Sequence, residues 1–378
     1  MPWLRSRVIR GDTEVKISVV SELDSLEALR PSWDALVESG PWPRSSPALI
    51  LAWYRCALPP GAKIWVFVAH EAETLVGLCP FYVQRTRYGL IRYSLAAPQL
   101  YGVEPLAAAG KEDEIGEELG AAMAEARPIP DVICLDWSLV GSRIATCIRR
   151  AWTPRRLALV RSPAFPNFRV VHHGADFEGW LRERSPKFRH GFRSDYRKLL
   201  AAGVTYRRAV TREEILERLE PLALLYEGRR AVRGGAGYAF DDTMKAVFTE
   251  AVMNSDPGRI RLSTLERSGA TVAVSVVLSA GSESVGWLAA FDKAWARYGP
   301  MRVAMVLGVG ESIERGDTVF DLGSGGAHYK IHMTKEMRQR NHVVLSRRGL
   351  YPFHSPVQIV SYTTRQALLR SLGRFRGQ

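Results

Sequence analysis

The sequence lacks most of the patterns that announce an easily read chemistry. Cysteine is scarce: Cys56, Cys79, Cys134 and Cys147 are the only four in 378 residues. They form no Cys-x-x-Cys pair and no Cys/His cluster at zinc spacing, so a zinc module is not expected. Cys79 and Cys134 lie in apolar runs and read as buried small hydrophobes, which fits a reducing cytoplasm. There is no Gly-x-Ser-x-Gly elbow, no Gly-Lys-Ser/Thr phosphate loop and no His-Glu-x-x-His pair, which removes the readily recognised hydrolases, NTPases and metalloproteases. No run of about 20 apolar residues occurs, so no membrane-crossing helix is expected. The basic start, Met1 to Arg5, is not followed by the apolar core of a secretory signal.

What is present describes a globular chain. Hydrophobic residues make up 46% and charged residues 24%, enough apolar material for two ordinary domains with real cores. The formal charge of +13 favours anionic partners such as phosphates, nucleic acid, acidic glycans or anionic lipid without choosing among them. Much of that charge is local. Residues 182–208 hold nine basic and two acidic side chains.

The order of elements reads as one unit written twice. An alternating strand at 15–20, a helix over 24–38 and another over 47–57 precede two strands, 64–69 and 74–83, joined by a tight polar turn. Strands near 90–96 and 132–137 flank a helix over 112–126. In the second half a strand at 204–208, a helix over 212–232 and one over 241–253 precede paired strands at 260–266 and 270–279. A strand at 284–291, a helix over 301–315, a strand at 318–322 and a last helix and strand follow. Both hairpins carry a pair of small residues early in the second strand, Val76-Gly77 and Val272-Ala273. The expectation is an α/β fold of two like domains, residues 1–170 and 171–350, with a basic tail over 351–378. A helical segment over 176–202 joins the halves. It places Phe188, Phe192, Tyr196 and Leu199 on one face and Arg189, Arg193 and Arg197 in a stripe beside it. The tail, with Arg365, Arg370, Arg374 and Arg376 among leucines, reads as a solvated terminal helix, with peripheral membrane contact as the other reading.

Chemistry concentrates late in the chain. Asp321-Leu322-Gly323-Ser324-Gly325-Gly326 has the look of a loop that binds S-adenosylmethionine, but such a loop follows the first strand of a doubly wound sheet, and too little chain remains after it here. His328 and His332 stand four apart with Glu336 a turn later, a spacing that permits a shared metal but lacks a catalytic carboxylate between them; no metal is expected. The better candidate runs from Val285 to Lys335. A strand ends at Asp292, a loop leads through Arg297 and Gly299 to Pro300 at a helix start, and the following strand ends at Asp321 near Tyr329-Lys330. The helix start, with its free N–H groups, is where the phosphates of an acyl carrier would sit.

Several short motifs in fixed order resemble the GNAT-like acetyltransferase domain of the CelD/BcsL group. They are Trp287 to Asp292, Tyr298-Gly299-Pro300, Phe320 to Gly323 and Tyr329-Lys330, with Ser185 to Arg189 and Gly269 to Ala273 upstream. Ser46-Pro47 with Trp53, Leu75 to Pro80 and Tyr101-Gly102 match in the first half. The group is similar in turn to the Fem peptidyltransferases, which have a tandem GNAT fold and use aminoacyl-tRNA. The resemblance implies tandem GNAT-like domains with mixed central sheets flanked by helices. It also implies transfer of an acyl group, from acyl-CoA with acetyl-CoA foremost, to an amine or hydroxyl of a glycan or small-molecule acceptor. It makes Asp321 a base or acceptor-orienting group, Lys330 a neutralising cation and Tyr329 a proton donor. Arg297, Gly299, Met301, Arg302 and Val303 would hold the donor; Arg189, Arg193, Arg197 and Asp292 would meet substrate. The usual Arg/Gln-x-x-Gly-x-Gly/Ala loop is incomplete, with Ala296 at its first position and Met301 at its last. Donor choice therefore stays open between a coenzyme A thioester and an aminoacyl-tRNA, and a non-catalytic accessory role in polysaccharide synthesis stays open beside both.

Overall fold

In a computed structural model of the chain, the described residues are 15–152, 157–161, 165–232, 239–324 and 329–347. The first half contributes β1 (Val15–Val20), β2 (Lys63–Glu71), β3 (Thr74–Arg85), β4 (Ile91–Leu95), β5 (Leu106–Ala107), β6 (Val132–Leu139), β7 (Leu157–Arg161) and β8 (Phe165–Val171). The second contributes β9 (Thr205–Arg208), β10 (Ile260–Arg267), β11 (Ala270–Ala280), β12 (Glu283–Phe291), β13 (Val319–Ser324) and β14 (Met337–Arg347).

The written-twice order is visible in the pairing. β1 to β4 pair antiparallel in sequence and β4 then pairs parallel with β6; β9 to β12 do the same and β12 pairs parallel with β13. Each hairpin carries one extra residue at the same place. Ala69 faces Gly77 and His70 faces Leu75, which leaves Val76 unmatched. Leu265 faces Ala273 and Glu266 faces Thr271, which leaves Val272 unmatched. A bulge of this kind bends the strand and re-aims its side chains.

Among the described residues the two expected sheets are joined into one mixed sheet of 14 strands. The join is an exchange: β8, which leaves the first half, pairs with β13, and β14, the last strand, pairs with β6, while β8 and β14 pair with each other. β8 had no counterpart in the sequence reading. Pro166 argues against a strand interior because it cannot donate to a ladder, yet its neighbours Asn167 to Val171 supply the register.

Three helices expected as continuous are broken, each at a proline. The 24–38 segment divides into Leu23–Ala28 and Arg30–Glu38 ahead of Pro31, and 212–232 divides into Arg212–Glu217 and Leu219–Val232 ahead of Pro221. The joining segment divides into Phe177–Arg182 and Pro186–Ala201, with the Ser185 hydroxyl accepting from the Phe188 N–H at 3.2 Å. A proline removes one helical donor and clashes with the preceding turn. A helix at Arg143–Trp152, also absent from the sequence reading, packs beside Glu112–Glu125 over the first half of the sheet.

One buried cluster draws on both halves, with Trp33, Trp53 and Val68 from the first and Phe248, Val276 and Trp287 from the second. β2 and β11 are far apart in strand order, so the sheet curls around this shared core. The opposite face of the second half is covered by helices Pro186–Ala201 and Pro300–Glu314, and the apolar stripe docks there through buried Phe188, Phe192 and Leu199. The tail and its arginines lie outside the described residues.

Candidate active site

The parallel pair β12 and β13 stays together for three residue pairs, from Glu283 opposite Val319 to Val285 opposite Asp321. β12 then runs on to Phe291 while β13 turns away. A wedge opens between them, and Asp321 stands at its apex. The backbone parts there for a local reason. β13 pairs with β8 as far as Asp321 opposite Arg169 and resumes at Ser324 opposite Asn167, so Leu322 and Gly323 bulge out. Gly323 has φ +75°, and a Cβ on it would lie 2.8 Å from the Gly286 carbonyl. Both the dihedral and the close approach call for glycine.

Asp321 is 6% exposed. Its Oδ1 accepts the Gly323 N–H at 2.7 Å and its Oδ2 accepts from Asn167 Nδ2 at 2.5 Å. A carboxylate offers about four lone-pair sites, so capacity remains toward the wedge. Lys330, also buried, donates from Nζ to the Gly323 carbonyl at 2.8 Å. Gly323 thus ties the acid and the cation together through its two peptide groups. Tyr329 is half-buried at the N-cap of helix Lys330–Met333.

The first half supplies a residue that the sequence reading missed. Arg44, in the short turn Pro43–Ser45, places Nη2 3.4 Å from the Gly286 carbonyl and Nη1 3.9 Å from Asp321 Oδ2. Burial lowers its guanidinium to about 10, with Asp321 pulling the other way. The turn is pinned by Ser45, whose hydroxyl bonds both the Glu104 N–H and the Glu104 carbonyl. Asn167 was missed as well. A buried asparagine in a strand carrying proline leaves no periodic signal.

The first half has the same wedge without the acid. β6 pairs with β14 as far as Leu135 opposite Val343 and resumes at Ser138 opposite Asn341, leaving Asp136 and Trp137 bulged. In the parallel register Cys134, opposite Ser94 as Asp321 is opposite Val285, stands where Asp321 does, and Trp137, at φ +61°, is the positive-φ residue of the bulge as Gly323 is in the second half. Its ring fills the space against Tyr101, Phe165 and His342.

The remaining candidates are more dispersed. Asp292 caps the turn Lys293–Tyr298 by accepting the Ala294 N–H at 3.0 Å. Arg297 stacks over the Tyr298 ring, Val303 is buried in the core and Met301 is half-buried. Gly299, at φ +60°, opens helix Pro300–Glu314. Arg302 in its first turn is ion-paired with buried Asp195, and a Cβ on Gly299 would run into that carboxylate. Of the arginine stripe, Arg189 donates to the Arg182 and Arg184 carbonyls and Arg193 pairs with Glu178, while Arg197 donates to the Arg193 carbonyl. The stripe lies on the far side of the donor loop from Asp321 in sequence and is largely engaged in holding its own helices.

The loop at 297–303 lies where a GNAT-like fold would hold the diphosphate of coenzyme A. A helix start, a glycine turn and Arg297 are present, but Arg302 is matched by Asp195, and a carboxylate beside the turn repels a diphosphate. The residues as arranged do not form a ready diphosphate cradle. Among the described residues no group of three or more His, Cys, Asp or Glu side chains is placed to hold a metal ion; His328 lies outside them and His332 is exposed. No described helix is long and apolar enough to cross a membrane.

Comparison with known proteins gives this geometry a context. The solved structure of FemX superposes with a TM-score of 0.62 at 10% identity, covering 83% of this chain and 95% of that one. The C-terminal domain of a putative lysylphosphatidylglycerol synthetase from Agrobacterium fabrum superposes with a TM-score of 0.55 at 12% identity, covering 84% and 92%. A conserved protein of unknown function from Bacteroides thetaiotaomicron gives 0.51 at 10% identity, covering 84% and 97%. At such identities the likeness is one of fold. No curated protein sequence matches the chain. Residues 186–331, which include the wedge, Asp321 and Lys330, match the family described as the acetyltransferase (GNAT) domain.

Proposed function

We propose that the chain is an acyltransferase whose active centre is the wedge between β12 and β13, built on two GNAT-like domains divided near residue 170. The observation that carries the reading is the buried Asp321 carboxylate, fixed by two donors at the point where the strands part, where the first-half counterpart in the parallel register is Cys134. An amine or hydroxyl entering the wedge meets a general base positioned by Asn167 and Gly323. Acyl transfer then proceeds by attack of that nucleophile on the acyl carbonyl, collapse of the tetrahedral intermediate and departure of the carrier. Lys330 and Arg44 supply positive charge beside the developing oxyanion, and Tyr329 returns a proton to the leaving group. Residues 297–303 face the donor's carrier, and Arg189, Arg193, Arg197 and Asp292 lie along its outer approach.

The GNAT match supports acyl-CoA as donor, and the fold likeness to FemX supports an aminoacyl-tRNA as the second reading. Asp195 bears on the choice. If the loop is meant for coenzyme A, the Asp195–Arg302 pair must open, and Asp195→Asn binds free coenzyme A about tenfold more tightly than wild type, one opposed charge being worth about 1.4 kcal/mol. The resemblance to the CelD/BcsL group supports a glycan, cell-envelope or secondary-metabolite acceptor handled in the cytoplasm. The direct test is a mass-spectrometric assay of acyl transfer to a panel of amino sugars and amines, with acetyl-CoA and with charged tRNA as donors. Turnover with either donor supports the reading; a chain inert with both across the panel counts against it in favour of an accessory role.

A further inference from the structure

Side chains that face one another across an antiparallel pair share a face of the sheet, as do residues two apart on one strand. Arg338 on β14 is opposite Asn167 on β8, and Arg169, two residues along β8, is opposite Asp321 on β13. Arg338, Asn167, Arg169 and Asp321 therefore line one face at the centre of the sheet, where the Arg44 guanidinium also reaches Asp321.

The charges there do not balance internally. Arg169 is paired with Glu283, and Arg340, farther along β14, is paired with Glu104. Arg338 is half-buried, and its side chain makes no hydrogen bond or ion pair with another described residue. Its guanidinium pKa is lowered by burial first and by Arg169 next, against the pull of Glu283 and Asp321. The Nε atoms of Arg44 and Arg169 are buried with no hydrogen-bond partner, and Arg44 is 5% exposed. Buried guanidinium N–H groups left unmatched are costly and call for an acceptor. Arg338, with no carboxylate at bonding distance and flanked by two guanidinium groups with donors to spare, fits a planar or tetrahedral oxyanion.

We propose that Arg338, with Arg169 and Arg44 beside it, forms an oxyanion-binding subsite next to Asp321 that takes a carboxylate or phosphate group of the acceptor. The subsite rests on the reading of Asp321 as the catalytic acid–base group, and it narrows the acceptor class to amines or hydroxyls that carry an anionic group. The acceptor is anchored by its anion while its nucleophile is turned toward Asp321.

Calorimetric titration of the full chain with inorganic phosphate, and separately with malonate, at ionic strength held constant with chloride, tests this directly. Saturable binding of at least one ion is expected, and the tighter ion names the group. Arg338→Ala weakens that binding about tenfold or more, Arg338→Lys restores part of it, and Asp321→Asn strengthens it by removing a facing negative charge. Arg87→Ala, in the exposed turn after β3, leaves it unchanged. Equal affinities for wild type and Arg338→Ala, or no saturable binding of either ion into the range of tens of millimolar, overturn the proposal. Should Arg338→Ala fail to fold, Arg338→Gln replaces it in the same comparison. Because the readout is binding, ion capture that depends on Arg338 in a chain inert toward acyl donors sinks the acyltransferase reading alone. Acyl transfer with ion affinities indifferent to Arg338 sinks the subsite alone.

Discussion

Asp321→Asn lowers kcat/KM for acyl transfer by about 10²- to 10⁴-fold, the usual worth of a positioned general base. The substitution keeps the shape of the side chain but not its role. Both groups that bond Asp321, the Gly323 N–H and Asn167 Nδ2, are donors. An amide can offer an oxygen to only one of them and turns its own NH₂ toward the other. Asn167 can relieve that conflict by flipping, so the loss of stability is small, about 1 kcal/mol. Steady-state kinetics beside urea denaturation separates the two quantities. Turnover like that of wild type in a folded Asp321→Asn protein removes Asp321 from the reaction and leaves its burial as a structural feature of the bulge.

The largest effect on stability is expected at the seam between the halves. Arg340 Nη1 donates to Glu104 Oε1 at 2.6 Å and to the Trp137 carbonyl at 2.7 Å, and Glu104 also accepts the Leu139 N–H at 3.0 Å. Both side chains are less than a tenth exposed. Arg340→Met leaves a buried carboxylate without its cation and costs about 3–5 kcal/mol near neutral pH. The pH dependence has a definite sign. Burial holds the Glu104 carboxyl above its ordinary value of 4.5, against the pull of Arg340, and losing Arg340 raises it further. A carboxyl whose folded pKa is raised favours the folded state below the unfolded pKa and loses that advantage as pH rises through the folded pKa. The deficit of Arg340→Met is therefore smallest at and below about pH 4.5 and grows as pH rises. Urea unfolding at acid and neutral pH checks this, and a deficit equal at both contradicts it. Adding Glu104→Gln recovers most of the lost stability, because removing both partners costs less than removing one.

How far the sequence could be read depended on the kind of signal each element leaves. The two hairpins were legible because alternation and a tight turn are local, and even the bulges at Val76 and Val272 fell where small residues had marked them. The loop to helix passage at Gly299-Pro300 was legible because positive φ and a fixed first-turn residue restrict the choice of amino acid. The joins were not. β8 and β14 find their partners across the chain, and nothing in Phe165 to Val171 says that its neighbour is β13. The same blindness hid Arg44 and Asn167, which reach Asp321 only because the first half folds against the second. The arginine stripe on Pro186–Ala201 was plain as a pattern, yet the partners that engage it, Glu178 and the end of helix Phe177–Arg182, come from a break that only Pro186 foretold.

The first half repeats the wedge with Cys134 where the parallel register puts Asp321 and with Trp137 in its bulge, and the proposed chemistry belongs to the second-half wedge alone. Photo-crosslinking settles which wedge the acyl donor enters. The full chain is labelled with a diazirine-bearing acyl thioester and, in parallel, with the corresponding acylated tRNA, and the adducts are mapped by peptide mass spectrometry. The account predicts adducts within residues 286–291 and 319–323, lost when unlabelled donor competes. Competed adducts confined to residues 94–97 and 132–138 would place the donor in the first-half wedge and contradict it.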